Sequence, residues 1–244
     1  MKQVVVIPAR YQSTRLPGKP LVLIAGKTLI QRVWERCVQA VEPNLVFVAT
    51  DDKRIEDHCF QFGANVIQTP RECMTGTDRL FAANEVLRAD SVINVQGDEP
   101  LVDPADIALL ARLHRENPSA ILCGMGPLID EDEFRSPTVP KVVASPTGKL
   151  LYISRGPIPS NKALTFKGGY KQICVYGFSA KHLEVFGSLA SKTPLENLED
   201  IEILRFLEVG YDVQMLSLKS SSIAVDIPED VIKVEKVLKL LDLK

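Results

Sequence analysis

Apolar residues gather in short continuous runs along the first half of the chain, at 3–9, 45–50, 64–68, 91–96 and 120–125. Runs of this length predict strands buried on both faces, as in a parallel sheet. Helical stretches lie between them, near 28–41, 52–62, 77–88 and 104–116. Asp103-Pro104 marks the start of the last of these, with a carboxylate cap and proline at the first helical position. This β-α-β-α alternation predicts an α/β fold, a mostly parallel sheet with helices on both faces. The second half is less regular. Residues 126–140 read as a connecting loop with a short helix. Strands near 140–145 and 150–154 bracket Ser145-Pro146-Thr147-Gly148 as a hairpin. A polar stretch, 156–170, reads as a mobile loop. A strand at 171–178, a helix at 199–209, a strand at 211–218 and a helix from Pro228 to about residue 241 complete the pattern. The two halves are expected to share one sheet, with the hairpin as a smaller lobe over its active edge.

Composition narrows this picture. The 244 residues are 45% hydrophobic, enough for a sizeable core, and the net charge of −2 provides no global basic field to recruit nucleic acid. The five cysteines, Cys37, Cys59, Cys73, Cys123 and Cys174, are scattered and form no CxxC. Reduced thiols of a cytosolic protein are the simplest account. No signal-peptide pattern and no stretch long enough to span a bilayer occur, so membrane insertion is not expected.

Chemistry is expected at the carboxyl ends of the strands, where open α/β sheets bind ligands. Arg10 to Lys19 follow the first strand, Thr50-Asp51-Asp52 the second, and Gly97-Asp98-Glu99-Pro100 the fourth. The first of these holds Arg10, Arg15 and Lys19 with Gly18, which suits a polyphosphate; the alternative is a solvated basic turn. It is neither a Walker loop nor GxGxxG. A polyphosphate needs a divalent cation, and magnesium favours one or two carboxylates plus phosphate oxygens and water. Asp98 is the first candidate ligand and Asp226, at another strand-to-helix junction, the second. Each has a turn or capping role as its alternative, and spacing alone does not bring them together. In Met74-Thr75-Gly76-Thr77-Asp78-Arg79-Leu80, Thr77 is placed to cap a helix. Arg79, near the positive helix end, calls for an anion or acceptor unless it is simply exposed.

The segments PARYQSTRLPGKPL, ATDD, GTDRL, NVQGDEPL, KVV, SRGPIP, VYGF, PLE..E..E.LR and VDIPED occur in that order. Together they resemble the 3-deoxy-manno-octulosonate cytidylyltransferases, or CMP-Kdo synthetases, over almost the whole chain. The resemblance implies a nucleotidyltransferase-type fold, usually a cytoplasmic homodimer, using CTP and Mg2+ for lipopolysaccharide biosynthesis. The anomeric hydroxyl of the sugar acid attacks the α-phosphorus of CTP, giving CMP-sugar and pyrophosphate. One domain over 1–244 is implied: a CTP-binding core (1–125), a sugar-binding and dimerisation part (126–222), and the metal aspartate with the last helix (223–244).

By the same resemblance, Arg10 and Lys19 hold phosphates beside Asp98 as the catalytic groups. Pro8, Ala9, Ser13, Arg15, Thr75 and Arg79 line the nucleotide pocket, and Asp98 and Asp226 are the metal ligands. Gln96, Arg155, Gln172, Tyr176, Glu199 and Glu202 face the sugar. An arginine at 155, just past a strand, makes sense opposite a sugar carboxylate, with a surface salt bridge as its alternative. On spacing alone, Glu196, Glu199 and Glu202 share one broad helix face, which is usually a solvated one. His58, His114 and His182 read as surface residues, and direct in-line attack needs no His or Cys nucleophile. The apolar segment 180–190 is the candidate dimer contact.

The chain departs from the family's usual spelling. Gln172 stands for histidine, Ile203 for glutamine, Ser160 for tryptophan, and Thr75-Gly76-Thr77-Asp78-Arg79 for Ser-Gly-Thr-Glu-Arg. Changes at 172 and 203 with Arg10, Lys19, Asp98 and Asp226 retained suggest a modified sugar acid. The expectation is 8-amino-3,8-dideoxy-manno-octulosonate (8-amino-Kdo), its C8 ammonium paired with Glu199 or Glu202; the alternative is Kdo itself. Two further classes are a non-catalytic nucleotide-binding regulator and a glycosyltransferase, which normally shows an Asp-x-Asp at a strand end.

Overall fold

The computed structural model describes residues 1–13, 15–219 and 222–242. Its first half comprises β1 (Gln3–Ala9), β2 (Leu23–Ile24), β3 (Lys27–Thr28), α1 (Leu29–Ala40), β4 (Val46–Thr50), α2 (Lys53–Gln61), β5 (Asn65–Gln68), α3 (Gly76–Leu87), β6 (Ser91–Val95) and α4 (Pro104–Glu116). There follow β7 (Ile121–Pro127), α5 (Glu131–Arg135), β8 (Lys141–Ala144), β9 (Leu150–Ser154), β10 (Tyr170–Ser179), α6 (Ala180–Gly187), α7 (Pro194–Glu199), α8 (Ile203–Glu208), β11 (Val213–Ser217) and α9 (Pro228–Asp242).

One sheet runs through both halves in the order β11-β7-β10-β6-β1-β4-β5, with β8 and β9 joined to it through β10. β1 lies between β6 and β4, parallel to both, so Val4 to Ile7 are buried. Val5 and Ile7 pack with residues of α1, α2, α4 and α9, while Val4 and Val6 pack with α3, α6 and α8. Burial on both faces is why these strands read as apolar runs without alternation. β10 enters antiparallel between β6 and β7. Its pairing with β7 shifts register between Ile173 and Tyr176. Such a bulge kinks a strand and re-aims its groups; here it lies at the cleft described below.

The cap at Asp103-Pro104 forms as expected, the carboxylate accepting the Ala105 N–H at 2.9 Å. Four expectations change. The helix read at 199–209 is two helices, because Asp200 takes a left-handed conformation (φ +52°) that ends α7. The β2–β3 hairpin was not expected; Ala25 and Gly26, both at positive φ, make its turn. His114 and His182 are buried, and Ser91 Oγ lies 2.7 Å from His114 Nδ1. Segment 180–190 is no exposed apolar contact, since Leu183 and Phe186 of α6 are buried beside α3 residues Leu80 and Ala83.

Candidate active site

The basic loop leaves β1 past Pro8 and Ala9 and returns at Gly18, whose N–H bonds the Tyr11 carbonyl at 3.2 Å. Gly18 has φ +67°, and a Cβ there would meet the Tyr11 ring at 3.2 Å, so glycine suits both the turn and the packing. The Arg54 guanidinium covers the Tyr11 ring at 3.3 Å. Thr14 of this loop lies outside the described residues. Ser13 Oγ accepts the Leu16 N–H at 3.4 Å, and Arg10 is exposed.

Beside the loop, Gly97 brings the end of β6 so close to β1 that a Cβ would stand 2.7 Å from the Pro8 carbonyl oxygen. Asp98 follows, and its carbonyl accepts the Val225 N–H at 2.9 Å, which draws in the segment carrying Asp226. The two aspartates distant in sequence therefore meet at one cation. Lys19 Nζ donates to Asp98 at 2.8 Å and to Asp226 at 3.1 Å, and Arg15 adds a 3.1 Å pair with Asp226. Burial works to lower the Lys19 pKa, but Asp98 and Asp226 overcome it and hold the ammonium above its ordinary range.

These groups fit magnesium. Two carboxylates within reach of one ammonium can share one small cation, and the rest of its shell would be phosphate oxygens and water. Among the described residues no cluster of three or more His, Cys, Asp or Glu could hold a metal by itself.

The opposite wall is the start of α3. Thr75 and Asp78 form a reciprocal cap, with Thr75 N–H to Asp78 at 2.9 Å and Asp78 N–H to Thr75 Oγ1 at 3.1 Å. The capping residue is thus Thr75 and not Thr77. Gly76 leaves room for Gln96, whose amide would lie 2.7 Å from a Cβ. Arg79 is 2% exposed, so its exposed alternative fails. Its guanidinium donates to Thr69 Oγ1 at 2.6 Å and to the Pro70 carbonyl at 3.4 Å, and Asp51 of ATDD stands 3.5 Å away as its ion-pair partner.

The three acids of 196–202 do not share a solvated face. Glu196 is buried and grips Arg205 through two bonds of 2.6 and 2.7 Å. Glu199 accepts Ser154 Oγ at 2.7 Å and the Arg155 N–H at 2.8 Å. Glu202 accepts Gly76 N–H at 2.9 Å, Thr77 N–H at 2.8 Å and Thr77 Oγ1 at 2.5 Å. Burial pushes the Glu202 carboxyl up, against these three donors. Glu196 and Glu199 share α7 yet face α8 and β9, and the break at Asp200 sends Glu202 to the start of α3. Neither Glu199 nor Glu202 is therefore free to meet a substrate ammonium, as had been expected. Ile203 is 1% exposed and packs in the core with Leu204 and Phe206, so the change from glutamine there alters packing and not a sugar contact.

Arg155 is held by three backbone carbonyls, Glu199 at 2.5 Å, Pro137 at 2.9 Å and Asp200 at 2.9 Å. Three of its five N–H groups are thereby used, and the alternative of a surface salt bridge is not found among the described residues. Gln172 Nε2 donates to the Tyr176 hydroxyl at 3.1 Å.

Every predicted site residue except Glu199 lines a single cleft of about 920 Å³ at the carboxyl ends of β1 and β6. Glu199 stands behind it, fixing Arg155. The cleft also contains residues that sequence reasoning passed over. Glu99 is 3% exposed; burial pushes its carboxyl up, with Asp98 adding to the effect. Lys171, also in the cleft wall, pairs with Glu133 at 2.5 Å. Behind it, Lys141 of the KVV segment is fully buried and donates to the Ser136 and Val139 carbonyls at 2.8 and 2.7 Å. A lysine opening a strand and an acid next to a candidate ligand were the available signals.

A family model described as cytidylyltransferase matches residues 4–219. The 3-deoxy-manno-octulosonate cytidylyltransferase of Syntrophotalea carbinolica is 42% identical over 244 residues, covering 96% of this chain and 97% of its own. The 8-amino-3,8-dideoxy-manno-octulosonate cytidylyltransferase of Shewanella amazonensis is 39% identical over 245 residues, covering 98% of this chain and all of its own. Among solved structures, a CMP:2-keto-3-deoxy-manno-octonic acid synthetase complexed with CTP superposes with a TM-score of 0.88 at 35% identity, covering 98% of this chain and 99% of that one. Fold and coverage of both chains agree, and the chain belongs to the 3-deoxy-manno-octulosonate cytidylyltransferase family.

Proposed function

We propose that this chain transfers the CMP unit of CTP to the anomeric hydroxyl of Kdo. The observation that carries the reading is Lys19 shared between Asp98 and Asp226, within a basic loop at the strand ends. In the reaction a bond forms between the sugar oxygen and the α-phosphorus, and the hydroxyl proton is lost to solvent. The bond from that phosphorus to the bridging oxygen of pyrophosphate breaks, and pyrophosphate leaves with the electron pair. Asp98 and Asp226 would hold Mg2+, which supplies charge neutralisation at the phosphates when bound. Arg10, Arg15 and Lys19 hold the β- and γ-phosphates and stabilise the departing pyrophosphate. Pro8, Ala9, Ser13, Thr75 and Arg79 shape the nucleotide side. Arg155, with two N–H groups to spare, receives the sugar carboxylate, and Gln96, Gln172 and Tyr176 bound the sugar. Glu199 acts from behind, fixing Arg155, and Glu202 holds the start of α3 from the cleft wall.

Kdo is preferred over its 8-amino analogue because Glu199 and Glu202 are spent on protein donors and Ile203 lies in the core. Competition kinetics under identical CTP and Mg2+ tests this. The reading expects kcat/KM for Kdo to exceed that for 8-amino-Kdo, and the reverse order would overturn the sugar assignment. A cytoplasmic homodimer belongs to the same reading. Light scattering that returned a monomer at micromolar concentration would refute it. No helix among the described residues is long and apolar enough to cross a membrane.

A further inference from the structure

Glu99 follows Asp98 at the mouth of the cleft, yet it is buried and reaches away along two directions. One carboxylate oxygen accepts the Cys174 N–H at 3.3 Å. That amide belongs to the stretch of β10 where the register with β7 shifts. A bulge leaves a backbone group outside the ladder, and such a group when buried needs a partner. The other oxygen accepts the hydroxyl of buried Ser222. Ser222 lies on the segment that leads to Asp226, and that same segment is tied to Asp98 by the bond from Val225 N–H to the Asp98 carbonyl. One carboxylate thus joins the end of β6, the bulge of β10 and the strand-like stretch before α9.

We propose that Glu99 is a positioning residue that sets Asp226 against Asp98, and so sets the affinity of the aspartate pair for its divalent cation. It acts through Ser222, its two carboxylate oxygens being taken by the Cys174 N–H and the Ser222 hydroxyl. The proposal rests on the reading of Asp98 and Asp226 as metal ligands. Without the Ser222–Glu99 bond, the segment loses its tie to the buried carboxylate, and Asp226, still paired with Lys19 and Arg15, gains freedom that must be lost again on each binding event. The effect should fall on the metal and on kcat, and leave recognition of the sugar intact.

The test uses Mn2+ as the probe, followed by its electron paramagnetic resonance in the presence of CTP, on the full chain. Ser222→Ala is expected to raise the Mn2+ Kd about fivefold and to lower kcat. The KM for Kdo should stay within twofold, with a melting temperature close to that of the parent. Ser222→Thr, which restores a hydroxyl, should recover most of the Mn2+ affinity. Glu99→Gln, which keeps shape but converts one acceptor to a donor, should weaken Mn2+ further. Should Glu99→Gln fail to fold, the two Ser222 variants still decide. Unchanged Mn2+ affinity in Ser222→Ala overturns the proposal. So does a uniform loss of Mn2+, CTP and Kdo affinity that Ser222→Thr does not reverse, since that marks a merely structural contact. If the parent chain itself binds no Mn2+ with CTP, the metal reading fails instead, and the two failures are distinguishable.

Discussion

Replacing Lys19 with methionine should strengthen metal binding to the nucleotide-free protein while disabling the enzyme. Lys19 Nζ stands 2.8 Å from Asp98 and 3.1 Å from Asp226, in the place between two carboxylates that a divalent cation needs. The side chains are 19%, 25% and 18% exposed, so the pairs are neither dry nor fully solvated. At about 1 kcal/mol for each such pair, the ammonium resists displacement by about 2 kcal/mol. A metal arriving alone must overcome that, whereas a metal arriving with CTP brings phosphates that give Lys19 a new partner. Methionine keeps most of the stem's volume and removes the charge. With Arg15 still on Asp226, the net gain in Mn2+ affinity without CTP should be about tenfold, or roughly 1.4 kcal/mol. Resonance titration with Mn2+ measures it, with and without CTP. The advantage should vanish or reverse when CTP is present, because the phosphates then lose the Lys19 ammonium and keep only Arg10 and Arg15. A variant that binds Mn2+ no better than the parent in the absence of CTP would refute the reasoning.

Glu196→Gln should cost about 2 kcal/mol in urea unfolding, because it takes the charge and one oxygen acceptor from the fully buried Arg205 guanidinium, which keeps Asp78 at 2.9 Å and the Phe186 carbonyl at 3.1 Å. Replacing both partners with apolar residues of similar volume should cost less; a larger loss in the double variant would contradict this. His114 is fully buried, and burial first, then His182, push its pKa down to about 4, against a smaller opposing pull from the Ala120 backbone. Its folded pKa lies below the unfolded value near 6.5, so the unfolded chain binds the extra proton as pH falls. Stability from this group is complete above about pH 6.5 and is lost progressively toward pH 4, by up to about 3 kcal/mol. His114→Asn should flatten the melting temperature across that window, and an unchanged slope would count against it.

Strand and helix positions were legible wherever burial imposed a pattern long enough to read. The run Val4 to Ile7 is apolar because β1 is covered on both faces, and the cap at Asp103 carries its own local signal. The hairpin of β2 and β3 was hidden because two-residue strands have no periodicity. The break at Asp200 was hidden because a non-glycine residue at positive φ leaves no mark in hydrophobic spacing. That break takes Glu202 off the helix of Glu196 and Glu199, and those two read as solvated because Arg205 and Ser154, which they hold, are distant in the pattern. The basic loop and Asp98 could be found as chemistry at strand ends. Their meeting with Asp226 depends on a long return of the chain, fixed by the Val225 bond to Asp98. Glu99 and Lys141 escaped notice because a charged residue reads as exposed until the partners that bury it are known.

The central claim is cytidylyl transfer to Kdo through the Asp98–Asp226–Lys19 cluster. Pyrophosphate release in the presence of CTP, Mg2+ and Kdo, with the sugar product identified by phosphorus resonance, tests it most directly. The account predicts release that requires all three components and yields CMP-Kdo. It also predicts a fall of about a hundredfold or more in kcat for Asp98→Asn with the fold retained. Absence of release with any octulosonic acid, or full activity in folded Asp98→Asn, would contradict it.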